Sequence, residues 1–504
     1  MTDILRRRTG ALADLPVTRL GSGVELADLL AAGLEAAVHA LAGTPGARLA
    51  DLFGSAGPPV TLHLVYALDS ERRFLVLRTP VTGETYPALS EIDPAAFAEQ
   101  GELFEQHGLR PAGTLLNRVA VPPHADGNGL WPGATDPLSQ DMHSPHTVGG
   151  EAFEFPVGPV RAVGAESLYY GLVTSGEEVV DVYLFTWHKH RGVQQRLRGR
   201  SPDDALFLVE RMEGLSAVAN GWAFAAAVEA AAGVEVRGAL ARSRGCALEL
   251  ERLYNHAAAV AAMCQSTGLS VGQAQAEIAL EQFLRLNAAV FGHRYLFGVL
   301  DVGGVTRPPD LEALRRLLPG AHDELRRVTD ALMRTNSFLD RLEATGLLTS
   351  EQAQRLGLVG PVARATGVAT DCRCDHPVAP YDEVAPRLAQ RSAGDALARM
   401  QVMCTEVDES VRLLSELVDA GVSAGTIDVP PGPGLGLGWA ESSRGESLAW
   451  VQLGADGRIE HVRLRPASVR NWRAFDDAVR AQNVFTDVPI IEASFWLTVA
   501  GSAR

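Results

Sequence analysis

Residues 187–192 read WHKHRG and gather His188, Lys189, His190 and Arg191 on one short run of a chain whose formal net charge is −16. Lys189 is the only lysine among the 45 Lys+Arg residues. Taken alone, the run reads as a solvated charged turn unless its neighbours give it work. A second concentration, Cys372, Cys374 and His376 in "CRCDH", has C-x-C spacing and not the C-x-x-C usual in zinc and cluster sites. It reads as lone buried thiols, with a metal pair as the alternative. Asn255 and His256 stand at helical spacing from Glu251 and Arg252, which suits a satisfied polar layer between helices, a proton path being the other reading. Arg364, Asp371, Arg373, Asp375 and Tyr381 fall in an aperiodic stretch and are expected to form a charged hydrogen-bonded network that fixes an irregular backbone. The glycines of "PGPGLGLGWA" (431–440) precede a strand and do not join a strand to a helix, so they predict a turn against neighbouring backbone and no phosphate cradle. Neither a nucleophile elbow, H-E-x-x-H nor a P-loop is present.

The elements that must position these residues fall into an α+β pattern. A helix is expected over 25–43, followed by strands over 60–68 and 72–81; together they make a small α+β domain within 1–120. The Gly/Pro-rich stretch 121–150, with His124, His143 and His146, reads as a linker. From 151 to 504 a strand meander leads into long Ala/Leu-rich helices, then two strands near 435–465 and a helix near 468–481. The second domain is therefore expected to be a helical bundle with a β rim. The run 217–233 is Ala-rich and suits a helix packed through small side chains.

Composition narrows the function. With 46% hydrophobic and 21% charged residues the chain has enough apolar matter for ordinary cores. A pI near 5.3 argues against a nucleic-acid binder, which needs basic surface. No uncharged run reaches the ~18 residues of a spanning helix. The first residues lack a signal-peptide core, so a cytoplasmic location is expected. Five scattered cysteines fit a reducing compartment.

The order of segments is informative. "GPVRA" lies in the meander, "HKHRGVQQRL" opens the bundle, and "VERMEGLSAVANGW" follows about 20 residues later. "LELERLYNHAAAV", the "RATGVATDCRCDHP" loop with Tyr381, and a segment reaching Arg504 come next. Over roughly 150–504 this succession resembles the large subunits of the nickel-iron hydrogenases, most closely the group 4 membrane-bound branch of the formate hydrogenlyase type, and their complex I counterpart. Residues 1–120, with "PALSEIDPAAFAEQGELFEQHGLRPAG", resemble the small complex I subunit that some of these proteins carry fused in front.

The departures from that family matter most. Hydrogenases bind nickel and iron through two C-x-x-C pairs, because low-valent nickel needs soft thiolates. The resemblance places Glu213, Ser216, Thr498 and Gly501 at those four positions, so no metal is expected in this chain. The family's R-G-x-E has become Arg191-Gly192-Val193-Gln194. Complex I lost the same cysteines and receives a quinone head group there, which implies that Glu213 occupies the old metal position. A carboxylate deep among apolar helices can pass protons if it has a partner; solvation or pairing with an arginine is the competing reading. By the same resemblance Arg161 replaces the head-group histidine and His188 the quinone-binding tyrosine, making Glu213, His188 and Arg161 the candidate catalytic set. His190 and Arg191 would face an iron-sulfur cluster of a partner subunit. The implied protein is a peripheral subunit on the cytoplasmic face of the membrane, with an iron-sulfur small subunit and membrane-embedded antiporter-like subunits as partners. It would form a quinone or redox-acceptor cavity; the alternative is a catalytically inert structural or coupling subunit.

Overall fold

A computed structural model describes residues 16–113, 152–161, 166–186 and 189–504. The expected linker 121–150 and its histidines, and His188, lie outside the described residues.

The N-terminal domain is built on β1 (Val17–Arg19), β2 (Val24–Asp28), β3 (Ala47–Ser55), β4 (Val60–Leu68) and β5 (Arg73–Val81), in the order β1-β2-β5-β4-β3 with only β2 and β5 parallel. Strand side chains alternate between faces. On β4, Leu62, Leu64, Tyr66 and Leu68 face helices α1 (Leu34–Ala42) and α2 (Phe97–His107). Val65 and Ala67 face the rest of the molecule. Both faces are buried, which is why these strands read as nearly continuous apolar runs. The expected helix over 25–43 is corrected: its first residues belong to β2, whose alternating Val24 and Leu26 face Trp439 and Trp450 while Ala27 faces the helices.

The second domain begins with an antiparallel sheet of β6 (Phe153–Val157), β7 (Tyr169–Ser175) and β8 (Glu178–Phe185). Helices α3 (Pro202–Val209), α4 (Ala217–Ala231), α5 (Gly238–Ser266), α6 (Ser270–Phe291), α7 (Leu311–Leu332) and α8 (Ala396–Asp419) form the bundle. A hairpin sheet of β9 (Gly434–Ser442), β10 (Gly445–Leu453) and β11 (Ile459–Arg465) covers it, and α9 (Ala467–Asn471) and α10 (Val488–Phe495) close the chain's last third. Three strands thus stand where two were expected, because Ser443-Arg444 makes a two-residue turn that carries no strong turn signal.

The glycine-rich stretch is a strand and not a turn. A Cβ on Gly434, Gly436 or Gly438 would overlap the carbonyl oxygens of Ala231, Ala227 and Ala223 of α4. Two strand residues advance about 6.6 Å and four helix residues about 6.0 Å, so glycines two apart meet carbonyls four apart along the whole seam. The close approach to backbone was readable from the sequence, and so was the small-residue packing of α4. The extended conformation was not.

Candidate functional site

The turn between α3 and α4 carries Glu213 and Ser216, and residues after α10 carry Thr498 and Gly501. The structure brings all four together. Glu213 is 1% exposed. Its Oε1 accepts from Ser468 Oγ at 3.2 Å and closely from Thr498 Oγ1, and its Oε2 accepts from Asn220 Nδ2 at 3.2 Å. A Cβ on Gly501 would lie 3.6 Å from that Oε2. Ser216 Oγ accepts from the buried Arg444 guanidinium at 3.0 Å. The same guanidinium donates to Asn255 Oδ1 at 3.1 Å and to the Trp496 carbonyl at 2.5 Å.

A second buried carboxylate lies beside the first. Glu251 accepts from the Val218 and Ala219 amides at 2.7 and 3.0 Å, capping the N-terminus of α4, where unpaired amides attract a negative charge. Burial nevertheless pushes its pKa up to about 8; the two amides and Arg444 act against that rise, and the charge of Glu213 adds to it. Buried in this way, Glu251 can hold a proton near neutral pH. Sequence reasoning missed Arg444, Asn220 and Ser468 and read Glu251 only as part of a polar layer. Its helical spacing to Asn255 was the available signal, since both point at the same end of α4.

Arg191 binds this assembly from outside. It donates to the Met212 and Ala500 carbonyls, each at 2.6 Å, and its amide donates to the Ala503 carbonyl at 2.9 Å. Burial lowers its pKa, with Glu166 and Glu213 opposing. His190 is half-buried beside it and Lys189 is exposed. Gln194 accepts from the Leu464 amide at 2.8 Å, which ties the segment to β11. Arg161 is placed elsewhere: its guanidinium meets Glu492 at 2.8 and 2.9 Å and Tyr170 at 3.3 Å, and no contact with Glu213 is formed.

The charged loop forms a network, as its composition suggested. Arg364 binds Glu406 at 2.6 Å and Glu441 at 2.8 Å, and Arg373 binds Asp371 at 2.7 Å and Glu249 at 3.0 Å. Tyr381 donates to Glu249 at 2.5 Å and Asp375 accepts from the Asp371 amide at 2.8 Å. His256 pairs with Glu406 at 2.8 Å, and Asn255 reaches the Leu215 carbonyl as well as Arg444. His376 turns to Asp69 at 2.8 Å, away from a joint site with the two thiols. Among the described residues no group of three or more His, Cys, Asp or Glu side chains is placed to hold a metal ion.

Comparison with known proteins gives this geometry a lineage. The profile of the respiratory-chain NADH dehydrogenase 49 kDa subunit matches residues 278–429. Formate hydrogenlyase subunit 5 of Escherichia coli is 26% identical over 483 residues, covering 89% of this chain and 83% of that protein. The carbon monoxide-induced hydrogenase of Rhodospirillum rubrum is 29% identical over 67% of this chain and 96% of its own length. The chain is homologous to the large subunits of group 4 hydrogenases and complex I. An NADH-quinone oxidoreductase component from Geobacillus thermodenitrificans is 26% identical over 64% of this chain and 90% of its own length. The formate hydrogenlyase match is too long to fit within the second domain and takes in part of the N-terminal one. The fold agrees with a chain of the archaeal membrane-bound sulfane sulfur reductase, with a TM-score of 0.65 at 23% identity over 70% of this chain and 99% of that one. Among the described residues no helix is long and apolar enough to cross a membrane.

Proposed function

We propose that this chain is a non-metal-binding large subunit of a membrane-bound complex I-like or hydrogenase-like assembly, peripheral on its cytoplasmic face. It docks on an iron-sulfur small subunit through the segment around His190 and Arg191, and membrane-embedded partners anchor it. The carrying observation is the convergence of Glu213, Ser216, Thr498 and Gly501 on one point that offers a carboxylate, two hydroxyls and a hydrogen atom. That donor set does not fit a nickel-iron centre, which needs soft thiolates. The hydroxyl of Ser216 faces a guanidinium and that of Thr498 is committed to Glu213.

What these residues do instead is hold a proton. Glu251 is kept protonated up to about pH 8 by burial and by the neighbouring charge of Glu213, against the pull of Arg444 toward ionisation. A quinone or another two-electron acceptor, reduced by two electrons from the partner's cluster, takes up two protons, of which Glu251 would give one and solvent the other. The inert structural or coupling role is the second reading. It is favoured by the filled hydrogen-bonding shell of Glu213 and by the commitment of Arg161 to Glu492.

The test is purification of the native assembly, followed by nickel analysis and quinone-analogue-dependent reoxidation of its clusters. Substoichiometric nickel is expected, with reoxidation slowed at least tenfold by Glu213→Gln and by His188→Phe. Unchanged reoxidation in both variants favours the structural reading, and stoichiometric nickel overturns both.

A further inference from the structure

Residues 496–504 supply two of the four converging positions and are mostly buried, with Val499 in an apolar cluster beside Trp472. They are held by side chains from separate parts of the chain. The Glu166 carboxylate accepts from the Val499 and Ala500 amides at 2.6 and 2.9 Å. Trp472 Nε1 donates to the Thr498 carbonyl at 2.9 Å, and Arg191 takes the carbonyls of Ala500 and Ala503. Ser468 Oγ accepts from the Thr498 amide at 3.1 Å and Arg444 takes the Trp496 carbonyl, and a further anchor comes from the N-terminal domain. Arg504, 1% exposed, donates to both oxygens of Glu102 on α2, each at 3.0 Å.

Glu102 is not an incidental partner. It also meets Arg463 of β11 at 2.8 Å, and Arg463 in turn makes a two-pronged contact with Asp51 of β3 at 2.9 Å. Two guanidinium groups from the second domain therefore converge on one carboxylate of the first, all out of water. Removing one partner from a buried ionic cluster leaves the others uncompensated, and the least constrained of them moves toward solvent. Arg463 is fixed within a strand and keeps Asp51, whereas Arg504 has only a 3.4 Å contact with the Gly501 carbonyl to fall back on.

We propose that the N-terminal domain completes the carboxylate site, with Glu102 as a positioning residue that holds residues 496–504, and through them Thr498 and Gly501, against Glu213. Docking of that domain and formation of the Glu213 site are then one event. The consequence for turnover rests on the proposed function; the structural claim does not.

Amide hydrogen exchange read by mass spectrometry tests it on the full chain. Glu102→Gln is expected to speed exchange in the peptide covering 497–504 at least tenfold, Val499 and Ala500 included, while peptides of β3 to β5 keep wild-type rates. Arg504→Met removes the same pair from the other side and leaves Glu102 with Arg463, so it keeps the domain interface should Glu102→Gln fail to fold, and the same acceleration is expected. Asp69→Ala breaks a different contact between the domains, that with His376, and is expected to leave the peptide unchanged. Wild-type exchange of 497–504 in the folded Glu102 and Arg504 variants, or equal acceleration in Asp69→Ala, overturns the proposal. Acceleration without any loss of acceptor-dependent reoxidation keeps it and removes the redox reading of Glu213 instead.

Discussion

Glu251→Gln should reverse its effect on stability between acid and alkaline pH. Burial raises Glu251 from 4.5 to about 8, so the folded protein binds this proton far more tightly than the unfolded chain does. For an acid with a raised folded pKa, the stabilisation is complete below the unfolded value near 4.5 and is lost as pH rises through about 8. At about 1.36 kcal/mol per unit the full swing has a ceiling of about 5 kcal/mol, and relaxation around Glu213 and Arg444 brings it to roughly 3 kcal/mol. Glutamine does not titrate. Its amide NH2, which cannot accept, also replaces one of the two oxygens beneath the Val218 and Ala219 amides, a loss of about 1 kcal/mol at every pH. The variant is therefore expected to be about 1 kcal/mol less stable at pH 5 and about 2 kcal/mol more stable at pH 9. Urea denaturation followed by circular dichroism at pH 5, 7 and 9 measures both limbs. Parallel pH profiles for the two proteins would mean that Glu251 titrates as an ordinary carboxylate, and the proton-holding argument would fail with it.

Arg444→Met removes the cation that holds the Glu251 pKa down, so the loss of stability with rising pH should extend to higher pH than in the wild type and the melting temperature should fall at neutral pH. Asp51 is buried, which alone would raise its pKa, but Arg463 overcomes this and holds it at about 2. Its contribution, about 2 kcal/mol, is present above pH 4 and lost as pH falls through 2; Asp51→Asn should flatten that acid limb in a pH-dependent melt. Gly438→Ala forces a methyl group into the Ala223 carbonyl of α4, where neither backbone can move alone. A loss of about 3 kcal/mol or more is expected, read as a lower denaturation midpoint.

Local chemistry was legible where it repeats. The β-rich apolar runs at 60–68 and 72–81 announced β4 and β5, and the small side chains of 217–233 announced a helix that packs closely. The order of short motifs placed Glu213, Ser216, Thr498 and Gly501 together across a separation of almost 300 residues. Pairings without any period were illegible. Nothing near Arg161 in sequence points to Glu492, and nothing in the Ser443-Arg444 turn announces a guanidinium bridging Ser216 and Asn255. Residues 25–28 were misread because a short apolar-polar run fits a helix face as well as a short parallel strand, and the deciding partner, β5, lies 50 residues away. The acidic groups Asp51 and Glu102 look like solvated surface in the sequence; only the arginines of β11 and residue 504 turn them inward.

Lys189 sits exposed two residues before Arg191, whose guanidinium reaches the carbonyls beside the buried carboxylate. Since the rest of the chain uses arginine for its cations, an amine-reactive dye has one side-chain target here, with the α-amino group as its sole competitor. The protein thus carries a built-in spectroscopic handle at the edge of its proposed contact surface, and a fluorophore placed there would report subunit association without any cysteine being engineered.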